Sequence, residues 1–308
     1  MSVIGIDTSN YTTSIAYFDG ENGVNCSRLL PVKPGELGLR QSDAVFAHTK
    51  SLPDLSGRLF SNAEVGKITA VGVSTRPRAV EGSYMPCFMV GYSHAKLLSD
   101  ALGVPLIEVS HQQGHVAASL WSAGHLELMD KPHLAWHLSG GTTELLLVEP
   151  EGKNVKCTKI GGTTDISAGQ LIDRTCVMLD LPFPAGKHVD ALSKEANMKE
   201  TFKVKCPGME FSLSGVQNKV QQFHQKNGIP AETAAFALRC VASAVYQATQ
   251  NALKAYPGLK VVFSGGVASN SMLREVIAPL SPIFCEPQYS TDNAMGVAVL
   301  TDRYTQEG

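Results

Sequence analysis

Apolar positions recur along the chain with two periods. Residues 3–18 run Val3-Ile4-Gly5-Ile6, a hydroxyl- and Asn-rich turn over Asp7 to Ser14, then Ile15-Ala16-Tyr17-Phe18. Residues 134–148 repeat the plan: Leu134-Ala135-Trp136-His137-Leu138, the turn Ser139-Gly140-Gly141-Thr142-Thr143, then an apolar run to Val148. Each reads as strand, tight turn, strand. Two such hairpins, one in each half of the chain, predict two related α/β halves facing each other across a cleft. Between them the pattern predicts an amphipathic helix near 45–60, through Val45, Phe46, Leu52, Leu55, Leu59 and Phe60. A strand at about 68–74, a helix at 88–102, a strand at 104–109 and a further helix follow. After the second hairpin come a short strand near 155–160, a helix near 167–179 and a rigid turn at 182–186. A long helix at 230–255 and a buried strand at 259–263 follow. That strand runs into Ser264-Gly265-Gly266-Val267-Ala268-Ser269-Asn270, and a last helix is expected from Thr291 as its N-cap, with Asp292 in its first turn.

Composition narrows the class. The 308 residues are 44% hydrophobic and 18% charged, with a net charge of −2. That is an ordinary globular balance with no field to draw in nucleic acid or an anionic membrane. Lys187, Lys194, Lys199, Lys203 and Lys205 form the densest basic stretch, but Glu195 and Glu200 interrupt it, and it reads as a solvated face. Seven cysteines without a Cys-x-x-Cys pair predict reduced, buried thiols. No apolar run approaches a membrane span and the chain opens on a strand, so a soluble, cytoplasmic protein is expected.

The candidate chemistry begins at His111-Gln112-Gln113-Gly114-His115. Residues i and i+4 share a helix face, the spacing at which two imidazoles meet one divalent metal. Asp292, from far along the chain, could complete a set of two nitrogens and one oxygen. Two core histidines would show the same spacing. Zinc proteases with this spacing carry Glu after the first histidine as general base, and Gln112 cannot take a proton from water. The pattern therefore points to a metal that binds and positions. The Gly265-Gly266 turn, between a strand and a helix, suits phosphate or nucleotide, although it is neither a Gly-x-Gly-x-x-Gly motif nor a P-loop.

Three glycine-rich turns, the histidine pair and the late Asp, in this order, resemble the tRNA threonylcarbamoyladenosine synthase family, also called the glycoprotease, O-sialoglycoprotein endopeptidase or peptidase M22-like family. The resemblance runs from Ile4 to about Ala298. It implies an α/β actin-like ATPase fold of two duplicated ribonuclease H-like halves around a nucleotide cleft, here residues 1–130 and 131–308. It places the metal ligands at His111, His115 and Asp292, and the substrate-lining turn at Leu138, Ser139, Gly140 and Gly141. The ribose-binding acid falls on Asp173, and further nucleotide contacts on Gly186, Gly265, Gly266 and Asn270. Phe211-Ser212-Leu213-Ser214-Gly215 matches the family's Phe-Ser-Phe-Ser-Gly. The implied reaction moves a threonylcarbamoyl group from an adenylate to N6 of an adenosine in the tRNA anticodon loop. The implied cofactors are one divalent metal, iron or zinc, and an ATP- or AMP-type nucleotide or adenylate. The implied partners are tRNA with pathway proteins or a second copy of the chain.

The sequence departs from that family around the site. Where relatives carry Glu-Thr-Ser and then Cys-Asp-Glu-Thr, this chain has Asp7-Thr8-Ser9-Asn10-Tyr11-Thr12-Thr13. Ser-Gly-Gly-His-Thr becomes Ser139-Gly140-Gly141-Thr142-Thr143, and Gly-Glu-Ala-Phe-Asp becomes Gly169-Gln170-Leu171-Ile172-Asp173. Gly-Pro-Gly-Leu becomes Arg76-Pro77-Arg78-Ala79, which offers two cations to an anionic substrate. The alternatives are a non-catalytic nucleotide-binding paralogue, a carbamoyltransferase with another acceptor, and a sugar kinase using Asp165 or Asp173. Gln112 argues against a protease.

Overall fold

The computed structural model of the chain describes residues 2–31, 39–62, 66–197 and 199–306. They form two units. The first comprises Met1–Lys131, Glu149–Cys157 and Asp292–Gly308, and the second Pro132–Val148 and Thr158–Thr291. The division near residue 130 thus meets a rearrangement that sequence order conceals: the C-terminal segment belongs with the N-terminal unit.

In the first unit β1 (Ser2–Thr8), β2 (Thr12–Phe18), β3 (Gly23–Leu29), β4 (Ile68–Arg76) and β5 (Leu106–Ser110) form a sheet in the order β3-β2-β1-β4-β5. β1 and β2 pair antiparallel, as do β2 and β3, whereas β1–β4 and β4–β5 pair parallel. Alternation along the strands decides which helix covers which face. Ile4, Ile6, Ile15, Tyr17, Val71 and Val73 meet α1 (Gln41–Asn62) and α2 (Phe88–Leu102). Leu52, Leu55 and Leu59 of α1 enter this core, while Phe46 and Phe60 are exposed. Gly5 and Gly72, register partners in β1 and β4, leave room for α9 (Met295–Thr305), which also packs on α3 (His111–Ser122). There Gly296 lies against the carbonyl of Gly114, where a methyl group would overlap backbone.

In the second unit the sheet order is β11-β10-β6-β7-β8-β9, built from β6 (His133–Leu138), β7 (Thr143–Glu151), β8 (Asn154–Thr163), β9 (Glu210–Phe211), β10 (Val261–Ser264) and β11 (Ile283–Phe284). β6 pairs antiparallel with β7 and parallel with β10, and β10 pairs parallel with β11. With β9 set aside, this is the strand order of the first sheet again, and β6 pairs with its two neighbours as β1 does. Its core gathers Trp136, Leu138, Leu145 and Phe263 with α4 (Ala168–Met178), α5 (Ala185–Ser193), α6 (Ser214–Asn227), α7 (Pro230–Ala255) and α8 (Ser271–Ile277). Trp136 is fully buried and donates its ring N–H to Thr249 Oγ1 at 2.9 Å.

Three expectations need correction. The last helix starts at Met295 with Ala294 as its N-cap, so Thr291 does not cap it and Asp292 precedes it. Residues 291–294 are held from outside the segment, Ala294 N–H donating to Asn25 Oδ1 at 3.1 Å. Residues 182–186 do not form a turn alone: Pro184 ends it, after a cis Phe183–Pro184 bond, and α5 begins at Ala185. All seven cysteines are free, but Cys157 and Cys206 are half-buried rather than core residues. Among the described residues no helix is long and apolar enough to cross a membrane.

Candidate functional site

α3 starts where β5 ends. Ser110 caps it by accepting from Gln113 N–H at 3.3 Å, while Gln113 Oε1 accepts from Ser110 N–H at 2.9 Å, a reciprocal capping box. Gln113 Nε2 also donates to the Val155 carbonyl at 2.8 Å, which fixes the first turn. His111 and His115 therefore leave a rigid helix end on one face, with their rings 4.3 Å apart between centroids. Asp292 reaches them from the segment before α9.

The three ligand atoms converge. His111 Nε2 lies 2.9 Å from His115 Nε2, and Asp292 Oδ1 lies 3.2 Å from His115 Nε2 and 3.5 Å from His111 Nε2. Bonds of about 2.1 Å to a common cation would subtend angles of about 90–110° across these separations, within the range of octahedral and tetrahedral sites. The donor set of two borderline nitrogens and one hard oxygen suits first-row divalent metals. Among the described residues, this is the group of three metal-ligating side chains that stands out.

Electrostatics favour a positive charge at this point. Burial alone would lower the His111 pKa, but the Asp7 charge and the hydrogen bonds of Asp292 and Asp7 outweigh it and push the value to about 10. Burial likewise opposes ionisation of Asp292, yet its bonds to His111 and His115 hold its carboxyl well below the usual carboxylate range. Two carboxylates, Asp7 and Asp292, thus flank the His111 ring, a charge distribution that favours a cation at this point.

Sequence reasoning missed the residues behind the ligands. Asp7, at the end of β1, accepts from His111 Nδ1 at 2.9 Å and from Ser74 Oγ of β4. Ser9 Oγ donates to Asp292 Oδ2 at 3.2 Å. The available signal was an acid at the carboxyl end of a central strand, where open α/β sheets place their sites.

In the second unit the β6–β7 turn is closed by Ser139 N–H donating to the Thr142 carbonyl at 2.8 Å and Thr142 N–H donating to Ser139 Oγ at 3.1 Å. Ser167 Oγ, at the N-cap of α4, donates to the Gly140 carbonyl at 2.5 Å. Gly140 and Gly141 border open space, and their N–H groups make no hydrogen bond among the described residues. Such paired donors suit an anionic oxygen. Leu138 contributes backbone alone, because its side chain is fully buried. Gly265 has φ +90°, and its α-carbon lies so close to the Leu138 carbonyl that any side chain would collide; Gly266 borders open space. A 3₁₀ turn, Gly266–Ser269, separates these glycines from α8.

Asn270 is buried and engaged at both ends. Its Oδ1 accepts from Leu273 N–H at 3.0 Å, capping α8, and its Nδ2 donates to Asp190 Oδ1 at 2.8 Å. Gly186, in the first turn of α5, borders open space. Asp173, on α4, is half-buried without a hydrogen bond among the described residues, and burial raises its pKa. Asp165 accepts from Ser212 Oγ at 2.5 Å, Ser214 Oγ at 2.6 Å and Leu213 N–H at 2.8 Å. Burial opposes ionisation there, but these bonds hold the carboxyl at about 2. A carboxylate so saturated is a clasp for the start of α6 and a poor base for a kinase. The structure thus collects the three expected metal ligands in the first unit and places the expected nucleotide contacts in the second.

Comparison with known proteins gives the same direction. The family model described as TsaD, tRNA N6-adenosine threonylcarbamoyltransferase, matches residues 37–299. A relative of that name from Carboxydothermus hydrogenoformans is 33% identical, over 96% of this chain and 90% of its own length. One from Thermosipho africanus is 31% identical, over 100% of this chain and 96% of its own. Among solved structures, full-length HypF in its phosphate- and nucleotide-bound form superposes with a TM-score of 0.63 at 15% identity, covering 100% of this chain and 47% of HypF. The ROK hexokinase of Thermus thermophilus superposes with 0.54 at 15% identity, covering 100% of both chains. These similarities establish the actin-like ATPase fold, and the sequence matches establish that the chain belongs to the tRNA N6-adenosine threonylcarbamoyltransferase family of transferases.

Proposed function

We propose that this chain moves a threonylcarbamoyl group from a threonylcarbamoyl-adenylate to N6 of an adenosine in a tRNA anticodon loop, with His111, His115 and Asp292 holding one divalent cation, iron or zinc. The observation that carries the reading is the convergence of His111 Nε2, His115 Nε2 and Asp292 Oδ1 within 3.5 Å of one another. Bound there, the cation supplies Lewis-acid polarisation to a carbamoyl or phosphate oxygen. The free N–H groups of Gly140 and Gly141 receive anionic oxygens of the nucleotide, with Gly265, Gly266, Gly186 and Asn270 contributing to its seat. Asp173, unpaired on α4, accepts from a ribose hydroxyl. In the reaction the adenine amine forms a C–N bond to the carbamoyl carbon, the C–O bond to the phosphate breaks, AMP leaves and the amine loses a proton. An unpaired loop base reaches such a site without being pulled from a duplex.

The family setting supports tRNA as substrate and a cytoplasmic site of action. Pathway proteins or a second copy of the chain are the partners this reading entails. One observation favours a second reading, a nucleotide-binding paralogue without this activity. Where relatives carry an Asp-Glu pair, Thr12 is buried and Tyr11 is half exposed, so neither supplies a carboxylate. Expression in bacteria depleted of their own synthase separates the two, with the modified adenosine quantified by mass spectrometry. Restored modification supports the transferase. Unmodified tRNA beside soluble, metal-loaded protein and its cognate partners supports the paralogue.

A further inference from the structure

The buried carboxylate of Asp7 is not used by the packing around it. Asp7 is fully buried at the carboxyl end of β1, between β2 and β4. Its Oδ1 receives His111 Nδ1 and Ser74 Oγ, while its Oδ2 has no hydrogen-bond partner among the described residues. A half-satisfied buried carboxylate costs stability, and a sheet face needs no charge there. What the charge does have is a direction. It stands on the far side of the His111 ring from Nε2, the atom that meets His115 and Asp292.

We propose that Asp7 is a positioning residue for the cation centre: it sets the plane of the His111 ring and keeps the imidazole proton on Nδ1, so that the Nε2 lone pair faces the cation. The inference rests on the cation-binding reading of His111, His115 and Asp292. Three features support it. A ligating imidazole is oriented by what its other nitrogen donates to, and a carboxylate is the strongest such acceptor. Asp7 is itself oriented by Ser74, a strand residue that is also fully buried, so the chain of contacts ends on the sheet and not on a mobile loop. Asp7 and Asp292 together carry two negative charges, which offset one divalent cation between two neutral imidazoles. The segment after β1 continues the same task, since Ser9 Oγ holds the far oxygen of Asp292. One stretch of backbone, Asp7 to Ser9, thereby orients two of the three ligands.

The test is a zinc titration of the metal-free protein against a chromophoric chelator, on wild type, Asp7→Asn, Asp7→Ala and Ser74→Ala, each checked for a native circular dichroism spectrum. Zinc-loaded samples carrying ¹⁵N-histidine are then compared by NMR. Asp7→Asn, nearly isosteric, is expected to weaken zinc binding about tenfold and Asp7→Ala about a hundredfold, the range for outer-shell partners of metal ligands. Ser74→Ala should lose less than Asp7→Asn. The Nδ1–H resonance of His111 should lie far downfield in wild type, move upfield in Asp7→Asn and exchange with water in Asp7→Ala. A purely architectural role would leave that resonance in place. Wild-type affinity in a folded Asp7→Asn, with the resonance unmoved, overturns the role of Asp7 while leaving the centre intact. Wild type that takes up no zinc overturns the cation-binding reading itself, and this inference with it.

Discussion

The two units repeat one strand order, and the residue at the end of the first hairpin strand sets them apart. The β1–β2 hairpin closes on Thr8 and Thr13, and the β6–β7 hairpin on Leu138 and Thr143. Asp7 in the first therefore corresponds to His137 in the second. Each is followed across the parallel neighbour by a serine: Ser74 donates to Asp7, and Ser264 lies 3.5 Å from His137 Nδ1. In one unit this pair faces two histidines and a second acid. In the other, Ser264 also donates to the Trp136 carbonyl at 2.9 Å, and the adjoining turn offers bare backbone N–H groups. A duplicated sheet thus keeps its register while the residue at the strand end differs: Asp7 meets the imidazole of His111 in one unit, and His137 stands beside a turn of uncommitted backbone N–H groups in the other.

The sharpest way to break this contrast is to remove one acid or imidazole side chain from each side of it. Asp292→Ala should abolish stoichiometric metal, read by elemental analysis, with the fold retained, whereas His137→Ala should leave metal content unchanged. Equal loss in both would erase the distinction. The next effect is steric. Gly296→Ala places a methyl group on the Gly114 carbonyl, and Gly265→Ala sets one on the Leu138 carbonyl at φ +90°. Each should cost about 3 kcal/mol in urea unfolding, the upper end for overpacking.

A smaller effect separates the units by pH. His48 lies in the buried stripe of α1, with Nδ1 2.8 Å from Thr13 Oγ1, and burial outweighs a backbone contact with Ser9 and the Asp7 charge to lower its pKa below 6.5. The unfolded chain thus binds this proton before the folded one does. Its contribution is complete above pH 6.5 and declines as pH falls toward the folded value. His111 has the opposite sign, its contribution complete below pH 6.5 and lost as pH rises toward 10, so it is constant in the acid window. Asp165, held at about 2 against 3.8, contributes fully above pH 3.8 and loses this only between there and pH 2. Hydrogen exchange between pH 6.5 and 5 should therefore show amides of β2 and α1 losing protection while those at the start of α6 keep theirs. His48→Leu should flatten the first change. The smallest effect expected is Ser9→Ala, which frees the far oxygen of Asp292 and should weaken zinc binding about threefold by the same titration, below the usual outer-shell range.

The period of the apolar residues was enough to place both hairpins, α2 and α7, because each buries one face with little outside help. α5 escaped because Pro184-Ala185-Gly186 carries turn residues, and its helix depends on seating Val189 in the core of the second unit. The start of α9 escaped because Asn25, in another strand, sets it. The same reason governs the site. The histidine pair is a local pattern, but Asp7 is 104 residues from His111, and no spacing rule links them.

The return of the C-terminal segment to the first unit has a consequence for synthesis on the ribosome. β1 is made long before α9, yet the face bearing Gly5 stays uncovered until α9 has been made. All of the second unit is translated by residue 291, before its predecessor can close. The second-born unit is thus free to fold first, and Asp292 arrives immediately afterwards. A chain cut before residue 292 therefore lacks both Asp292 and the helix that covers Gly5 and Gly72.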